Sequence, residues 1–435
     1  MQLYSTNDRN LRVSFKEAVF NSLPADRGLY MPEDIPKLDA HFLRNLQHYS
    51  LQEIASKVAG TLIGDDIPAD DLDRIVEEAI DFEAPVRPLD SDMAVLELFH
   101  GPSLAFKDFG ARFMGRVMAY LSRGDDRVLD VLVATSGDTG GAVALGFLGV
   151  PGTRVTILYP KGKVSPVQEL QLTTNGRNIR AIEVNGTFDD CQALVKEAFN
   201  DGVLRSAFRL TSANSINIAR LIPQAFYYFH AYAQILSQGI EDVVFSVPSG
   251  NFGNIGAGLL AYRMGLPARR FIAATNINDT VVRFLESGRY EPRPSVQTLA
   301  NAMDVGNPSN WVRIMDLFGH DRQGLKEVIA SYAFTDAETR EGIRMLFDRY
   351  GYIACPHTAI AWLAAEAYRK ACPGGYAAVF LATAHPCKFP GVFPADIAGR
   401  IAVPGQVKAL EGRRKEAVAL DADFGAFKAY LLGNP

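Results

Sequence analysis

The amino-acid sequence predicts an α/β protein in which parallel sheets are flanked by helices. From about residue 89 onward, apolar runs typical of strands alternate with segments typical of helices. Two of the strands, at 128–135 and 243–248, lead directly into a glycine-rich turn and then a helix. At 435 residues the chain also exceeds the length at which a single core stops growing, so we expect two or three domains.

The first 88 residues differ from the rest because they contain several amphipathic helices. The segment 71–80 is one of them, and its apolar residues share one helical face: Leu72, Ile75, Val76 and Ala79. We expect that face to be buried. This part of the sequence holds no cluster of side chains that suggests catalysis, so its expected role is structural or that of a lid.

The remaining elements follow the alternation of strands and helices. Strands are predicted at 128–135, 154–159, 179–184, 243–248, 271–276 and 377–383. Helices are predicted at 189–199 and, as one long element, at 218–235. The expected division is an N-terminal domain (1–88), a large domain (89–125 and 223–405), a small α/β domain (126–222) and a C-terminal tail (406–435).

Composition and charge exclude several classes of protein. The net charge of −5 argues against general nucleic-acid binding, which requires a basic patch for phosphates. The four cysteines form no CxxC pair, and no HExxH motif or carboxylate cluster occurs, so we expect neither a disulfide framework nor a metal. The polar N-terminus lacks a signal peptide, and no run approaches the ~18 apolar residues of a membrane span. We therefore expect a cytoplasmic protein without a membrane partner.

One lysine, Lys107, lies among apolar residues just before a predicted helix, in the segment Leu104-Ala105-Phe106-Lys107. An apolar setting disfavours the ammonium form and lowers the pKa of a lysine, which suits a nucleophile or base. A Schiff base with a carbonyl cofactor such as pyridoxal phosphate (PLP) requires such a lysine. By itself the segment is equally compatible with a lysine that reaches solvent from the first turn of a packed helix.

A glycine-rich turn at 248–254 is a candidate anion site. It follows a predicted strand and begins an Ala/Gly-rich helix, so its backbone N–H groups and the helix N-terminus favour a phosphate. Its residues are Gly250, Asn251, Phe252, Gly253 and Asn254. The turn does not match GxGxxG, and no Lys-Ser or Lys-Thr follows, which excludes dinucleotide and P-loop interpretations. A phosphate monoester is the expected ligand.

A second turn, at 135–141, has the same position between a strand and a helix. Its hydroxyl and N–H groups, at Ser136, Gly137, Asp138 and Thr139, are candidates for binding a substrate carboxylate. Ordinary capping of the helix by Ser136 or Asp138 explains the same residues without any ligand.

The segment after the predicted strand at 377–383 carries three polar residues. Thr383 offers a hydroxyl where a ligand ring could meet it. We interpret His385 as a loop histidine and Lys388 as a solvated lysine, since lysine is rarely buried.

Asn217 and Arg220 are three residues apart and would share a face if a helix has begun there. An arginine with amide donors suits a second phosphate. A surface arginine is equally compatible with the spacing.

Together these segments resemble the threonine synthases, which are fold type II PLP enzymes of the tryptophan synthase β family. The matching stretches are 100–113, 134–140, 214–224, 248–254 and 383–386. The motifs at 4–6 and 28–32 resemble the extra N-terminal domain of the longer threonine synthases. The implied fold has parallel sheets flanked by helices in a large and a small domain, plus a mainly helical N-terminal domain. The tail after about 405 is not assigned by the resemblance.

The resemblance also implies roles for individual residues. Lys107 matches the lysine that holds PLP, the turn from Gly250 to Asn254 matches the PLP phosphate loop, and Thr383 matches the hydroxyl residue that faces the pyridine nitrogen. The residues Ser136 to Thr139 match the loop for the substrate carboxylate. Many fold type II enzymes carry Asn at the position of Asp138, where it bonds the phenolic oxygen of the cofactor. A carboxylate would repel that oxygen, so we expect Asp138 to cap its helix or order the loop.

The function implied by the resemblance is the conversion of O-phospho-L-homoserine and water to L-threonine and phosphate. In that reaction Asn217 and Arg220 are the candidates for binding the substrate phosphate, and Arg112 and Lys388 are weaker ones. Two alternatives stay open. One is another fold type II lyase, such as a serine/threonine dehydratase, and the other is a catalytically silent binding protein that keeps the fold. The sequence leaves the choice between monomer and homodimer open.

Overall fold

The computed structural model describes residues 1–433 of the chain. The strands are β1 (Gln2–Ser5), β2 (Arg12–Ser14), β3 (Tyr30–Pro32), β4 (Val86–Pro88), β5 (Met93–Glu97), β6 (Leu129–Ala134), β7 (Thr153–Pro160), β8 (Ile179–Asn185), β9 (Arg209–Ser212), β10 (Val243–Pro248), β11 (Ala268–Thr275), β12 (Ile329–Ala333), β13 (Ala377–Ala382) and β14 (Val418–Asp421).

The helices are α1 (Phe15–Asn21), α2 (Ala40–Arg44), α3 (Leu51–Ile63), α4 (Ala69–Ala79), α5 (Lys107–Leu121), α6 (Asp138–Phe147), α7 (Pro166–Thr173), α8 (Phe188–Asn200), α9 (Gly202–Ala207), α10 (Ile218–Leu221), α11 (Phe226–Leu236), α12 (Gly253–Arg263), α13 (Thr280–Ser287), α14 (Trp311–Leu317), α15 (Arg322–Val328), α16 (Asp336–Tyr350), α17 (Pro356–Ala371), α18 (Ala395–Ala398), α19 (Gly405–Lys408) and α20 (Phe424–Gly433).

The largest sheet has the strand order β12-β11-β10-β13-β5-β4. Its neighbouring strands are parallel except at one edge, where β4 runs antiparallel to β5. The strands are apolar along their whole length because helices cover both faces. On β10, for example, Val244 and Phe245 are both fully buried but face two different core clusters on opposite sides of the sheet. This is the predicted α/β architecture.

A second parallel sheet, ordered β14-β8-β7-β6-β9, forms the small α/β domain. Here the structure differs from the predicted division of the chain. Residues 406–435 were expected to form a separate tail, yet β14 pairs in parallel with β8, and Phe427 and Leu431 of α20 pack into the core of this domain beside Leu194. The C-terminal segment therefore completes the small domain.

The N-terminal part combines a small antiparallel sheet, ordered β2-β1-β3, with α1 to α4. The predicted helix at 71–80 is α4, and all four residues of its apolar face are buried, which confirms that prediction. The small sheet was not predicted because strands of three or four residues are too short to show a period of two. No helix in residues 1–433 has the length and apolar character needed to cross a bilayer.

The helix predicted at 218–235 is interrupted. The structure has α10, then a 3₁₀ turn at Ile222–Ala225, and then α11. Pro223 lies in that turn, and its missing N–H removes one bond of a continuous α-helix.

Candidate active site

Three segments that the sequence singled out meet at one edge of the large sheet. Strands β5, β13 and β10 are parallel neighbours with β13 in the middle, so their carboxyl ends lie side by side. Lys107 follows β5, Thr383 follows β13, and the glycine turn follows β10. Because neighbouring strands are about 4.8 Å apart, the two outer segments are separated by only ~10 Å at the sheet edge. One small cofactor can span that distance.

Backbone hydrogen bonds join the segments that contain Lys107 and Thr383. The N–H of Phe106 donates to the carbonyl of Thr383 at 2.9 Å, and the N–H of His385 donates to the carbonyl of Leu104 at 3.0 Å. These bonds surround a bridge between Ala105 and Ala384. The segment that precedes Lys107 is therefore held against the segment that contains Thr383.

The surroundings of Lys107 favour a neutral amine. It is the first residue of α5 and is half-buried. Burial lowers its pKa to about 8, and the positive charges of Lys388 and Arg220 act in the same direction, whereas Asp138 opposes them. A substantial fraction of the side chain is therefore unprotonated near pH 8, as a nucleophile or base requires.

The glycine turn after β10 has the backbone of an anion site. Phe252 has a left-handed conformation, with φ of 58°, and precedes the first residue of α12. A Cβ on Gly250 would lie 2.6 Å from the Cα of Met303, so only glycine fits there. Within residues 1–433, the N–H groups of Gly250 to Asn254 make no hydrogen bond to another group. At the N-terminus of a helix these open donors are arranged to receive a phosphate.

Neighbouring side chains hold this turn in place. Asn251 donates from Nδ2 to Ser215 Oγ at 2.7 Å and accepts from the N–H of Ser309 at 2.6 Å. Its carbonyl accepts from Asn310 Nδ2 at 3.2 Å. Arg313, which is fully buried, donates to Asn310 Oδ1 at 2.8 Å and to the carbonyl of Tyr30 at 3.2 Å. Asn310 and Arg313 were not predicted from the sequence, because they lie about 60 residues away from the turn that they support.

Asn254 faces away from the open donors of the turn. Its Oδ1 accepts from the hydroxyls of Tyr227 and Tyr228, each at 2.7 Å, while its buried Nδ2 has no partner among the described residues. Its side chain thus anchors α12 in the core, and its backbone N–H is the group that is available to an anion.

The turn at 135–141 is capped by a residue other than those expected. Thr135 Oγ1 accepts from the N–H groups of Gly137 at 3.0 Å and Gly140 at 2.8 Å, so neither Ser136 nor Asp138 caps α6. Ser136 and Thr139 remain half-buried at the edge of the small sheet.

Asp138 instead forms a buried ion pair with Lys388. The Nζ of Lys388 lies 2.7 Å from Asp138 Oδ1 and donates to the carbonyl of Ser103 at 2.8 Å, and Gln168 Nε2 donates to the same Oδ1 at 2.9 Å. Burial would raise the pKa of the Asp138 carboxyl, but the ammonium groups of Lys388 and Lys107 hold it below its usual range. The prediction of a solvated Lys388 is wrong, since the side chain is 0% exposed. Its apolar neighbours in the sequence, Cys387 and Phe389, were the available signal.

Arg220 is buried rather than on the surface, with 2% of its area exposed. One guanidinium nitrogen donates to the carbonyl of Ala213 at 2.6 Å, and its Nε has no partner among the described residues. Burial lowers its pKa to about 10, while Asp108 acts in the opposite direction. A buried arginine with an unused donor is a suitable ligand for an anion.

Asn217 does not act with Arg220 as a ligand for an anion, contrary to the expectation from their spacing. Its Oδ1 accepts from the N–H of Ala219 as the N-cap of α10. Its Nδ2 donates to the carbonyl of Val19 and to Ser22 Oγ, both at 2.8 Å. The amide therefore has no donor left for a phosphate, and it links α10 to the N-terminal domain.

Arg112 is also directed away from the site. Its guanidinium donates to the carbonyls of Ala79 and Glu78, both at 2.8 Å, and pairs with Asp81 at 2.7 Å. These contacts join α5 to the end of α4. No group of side chains able to hold a metal ion occurs in residues 1–433.

Comparison with known proteins identifies the family. The model of the pyridoxal-phosphate dependent enzymes matches residues 90–384, that of the threonine synthase N terminus matches 2–80, and that of the threonine synthase C-terminal region matches 358–431. A threonine synthase of Serratia marcescens is 44% identical over 438 residues, which cover 100% of both chains. This chain belongs to the threonine synthase family.

Solved structures agree with this assignment. The crystal structure of threonine synthase from Escherichia coli superimposes with a TM-score of 0.91 at 42% identity and covers 100% of both chains. The PLP-bound threonine synthase from Brucella melitensis superimposes with a TM-score of 0.91 at 36% identity and covers 99% of this chain and 98% of that one. As a member of the threonine synthase family, the protein is a PLP-dependent lyase of threonine biosynthesis with the fold of type II PLP enzymes.

The residues of the site fit PLP. The unbonded N–H groups of the turn at 250–254 offer donors to a phosphate, and the Lys107 amine has the lowered pKa that attack on an aldehyde requires. Thr383 carries a neutral hydroxyl and follows β13, the strand that lies between those preceding Lys107 and the turn. The alternatives of a dehydratase and of a silent binding protein are not favoured by these relatives.

Proposed function

We propose that this member of the threonine synthase family converts O-phospho-L-homoserine and water to L-threonine and phosphate, with Lys107 as the residue that holds PLP. One observation carries the proposal. An amine with a lowered pKa and an open anion site follow two strands that are separated by one strand in the same sheet, and the buried guanidinium of Arg220 acts on that amine. The arrangement suits a cofactor and a substrate that each bear a phosphate.

The proposed cofactor site consists of Lys107, Thr383 and the turn from Gly250 to Asn254. The N–H groups of the turn bind the cofactor phosphate, and the hydroxyl of Thr383 faces the ring nitrogen. A neutral hydroxyl, unlike a carboxylate, leaves such a nitrogen largely unprotonated. When bound, PLP supplies a ring that delocalises the negative charge developing on the substrate carbons.

The proposed substrate site has two anion-binding parts. Arg220 binds the substrate phosphate through its free guanidinium donors. The hydroxyl and N–H groups of Ser136, Gly137 and Thr139 bind the substrate carboxylate at the N-terminus of α6, where the helix dipole favours an anion. Asp138 takes no direct part in binding the carboxylate because its own negative charge would repel it.

In the proposed reaction Lys107 acts as the base. Its amine, released when the substrate amine takes its place, removes the proton from Cα. A second proton leaves Cβ, the Cγ–O bond breaks and phosphate departs. Cγ gains a proton, water adds its oxygen to Cβ, and a proton returns from Lys107 to Cα, so the product is L-threonine. The small domain, which carries Ser136 to Thr139, excludes bulk water by closing on the large domain until water is needed.

Product analysis tests this proposal. The purified protein, incubated with PLP and O-phospho-L-homoserine, is expected to form L-threonine and inorganic phosphate in a 1:1 ratio. Chromatography of the amino acid and a phosphate assay measure both products. Formation of a 2-oxo acid and ammonia would instead assign the chain to a lyase that stops after elimination.

We propose the cytoplasm as the location of this enzyme. Cys191, Cys355, Cys372 and Cys387 are all free thiols, and a reducing compartment suits such thiols.

A further inference from the structure

The buried pair of Asp138 and Lys388 joins the two domains beside the catalytic lysine. Asp138 is the first residue of α6 in the small domain, whereas Lys388 follows β13 of the large sheet. The ammonium of Lys388 is hydrogen-bonded at 2.7 Å to Asp138 and at 2.8 Å to the carbonyl of Ser103, four residues before Lys107. The proposed reaction uses neither side chain directly, so the pair requires another explanation.

Both members of the pair act electrostatically on Lys107. The carboxylate of Asp138 raises the pKa of Lys107, and the ammonium of Lys388 lowers it. The other charged or titratable groups that face Lys107 are Arg220 on α10 and His357 on α17. His357 is neutral near pH 7, since burial lowers its pKa to about 4, and Arg220 is a cation. Asp138 is therefore the anion among the described residues that would pair with a protonated Lys107.

Lys388 has few competing partners of its own. The further titratable groups that face it are Lys107, Asp108, His357, His385 and Cys387. Among these, Asp108 is a carboxyl whose Oδ2 already accepts from the N–H of Ser103 at 2.9 Å. Burial raises the pKa of Asp108 to about 6, and its negative charge also acts on Arg220. Asp138 is thus the carboxylate to which Lys388 is directly bonded.

We infer that Lys388 is a positioning residue that engages the carboxylate of Asp138 and so keeps the amine of Lys107 unpaired and reactive. This inference rests on the proposed role of Lys107 in holding PLP. Without Lys388, the ammonium that still acts on the ionised Asp138 is that of Lys107 itself. An ion pair between them would keep Lys107 protonated, and a protonated amine attacks no carbonyl carbon.

The test measures the apparent pKa of the Lys107 amine directly. It uses the full-length protein after PLP has been removed with hydroxylamine. A trace amine-acylating reagent is added between pH 6 and pH 10, and the labelled peptide that contains Lys107 is quantified by mass spectrometry. The wild-type protein is expected to give an apparent pKa of about 8 for this amine. Lys388→Met is expected to raise that pKa by roughly one unit, which reduces labelling at pH 7 by ~10-fold.

Two further variants separate positioning from simple repulsion between the lysines. Asp138→Asn is expected to lower the apparent pKa of Lys107, because the opposing carboxylate is gone. In the double variant, Lys388→Met is expected to change the pKa much less than it does when Asp138 is present. An equal shift in both backgrounds, or no shift in Asp138→Asn, would overturn the inference. If Lys388→Met does not fold, the absence of a downward pKa shift of Lys107 in Asp138→Asn would still overturn the inference.

A loss of stability alone would not reproduce this pattern, since it leaves the pKa of a single amine unchanged in the folded fraction. The labelling experiment needs no cofactor, so its failure is distinct from a failure of the proposed function. The latter would show as covalent PLP retained in a variant that lacks Lys107.

Discussion

Lys107 and Lys388 are both lysines withdrawn from water at the same edge of the large sheet, but they differ in their partners. Lys388 is fully buried and bonded at 2.7 Å to the carboxylate of Asp138. Lys107 is half-buried, and within residues 1–433 it forms no ion pair, so burial lowers its pKa to about 8. Desolvation makes an unpaired ammonium unstable, whereas a carboxylate in contact offsets much of that cost. Burial alone therefore does not define a reactive lysine, since the nearest counter-charge determines whether its amine is protonated.

The largest expected effect comes from replacing Lys107, the lysine that has no counter-charge in contact. Lys107→Ala is expected to abolish covalent attachment of PLP and to reduce kcat on the order of 10⁴-fold, because the amine acts both as nucleophile and as base. Borohydride reduction followed by mass spectrometry measures the attached cofactor, and Lys388→Arg is a control that retains a cation elsewhere at the site. Reducible PLP still bound in Lys107→Ala would show that another residue holds the cofactor.

The two lysines are also expected to differ in their contribution to the stability of the fold. Lys388→Met is expected to lower the free energy of unfolding by about 3–5 kcal/mol, because it leaves the buried Asp138 carboxylate unpaired. Lys107→Met is a matched control, in which removal of a desolvated ammonium is expected to leave stability unchanged or slightly increased in the cofactor-free protein. Urea denaturation followed by circular dichroism measures both variants.

The double variant Lys388→Met/Asp138→Asn tests whether the unpaired carboxylate causes the loss of stability. With both charges removed, it is expected to recover a large part of the stability lost in Lys388→Met. Equal destabilisation of Lys107→Met and Lys388→Met would show that the two sites do not differ as the structure indicates.

Arg220 is a buried cation near Lys107 and, like Lys107, forms no ion pair with a carboxylate of the described residues. Arg220→Ala is expected to raise KM for O-phospho-L-homoserine by ~10–100-fold, because a charge-assisted contact with the substrate phosphate is lost. The affinity for PLP is expected to change little. Steady-state kinetics at saturating PLP and a fluorescence titration of PLP measure the two quantities.

Arg220→Lys is the matched control for that prediction. It retains the charge but not the planar arrangement of donors, so its KM is expected to fall between those of the wild-type protein and Arg220→Ala. A loss of PLP affinity with unchanged KM would assign Arg220 to the cofactor site or to the structure.

Much of the fold was predictable because it depends on local patterns. The strand at 243–248 was predicted with its observed bounds, and the buried face of α4 followed from the spacing of Leu72, Ile75 and Val76. The interruption of the helix after α10 was not predicted, although Pro223 was visible in the sequence. The small N-terminal sheet and the pairing of β14 with β8 were missed, since both consist of short strands whose partners lie far away in the chain.

Local sequence patterns were enough to predict the longer strands and helices and the positions of the glycine turns and of Lys107 along the chain. Those features follow from side-chain shape, hydrophobic period and the conformational freedom of glycine, all of which act over a few residues. Which charged side chains come into contact depends on the tertiary structure. Lys388 and Asp138 are 250 positions apart in the sequence, and their contact at 2.7 Å depends on how the two sheets are placed against each other. Electrostatic energies depend on burial and on distances in space. Sequence patterns therefore could not predict the burial and protonation of Lys107, Lys388 and Arg220.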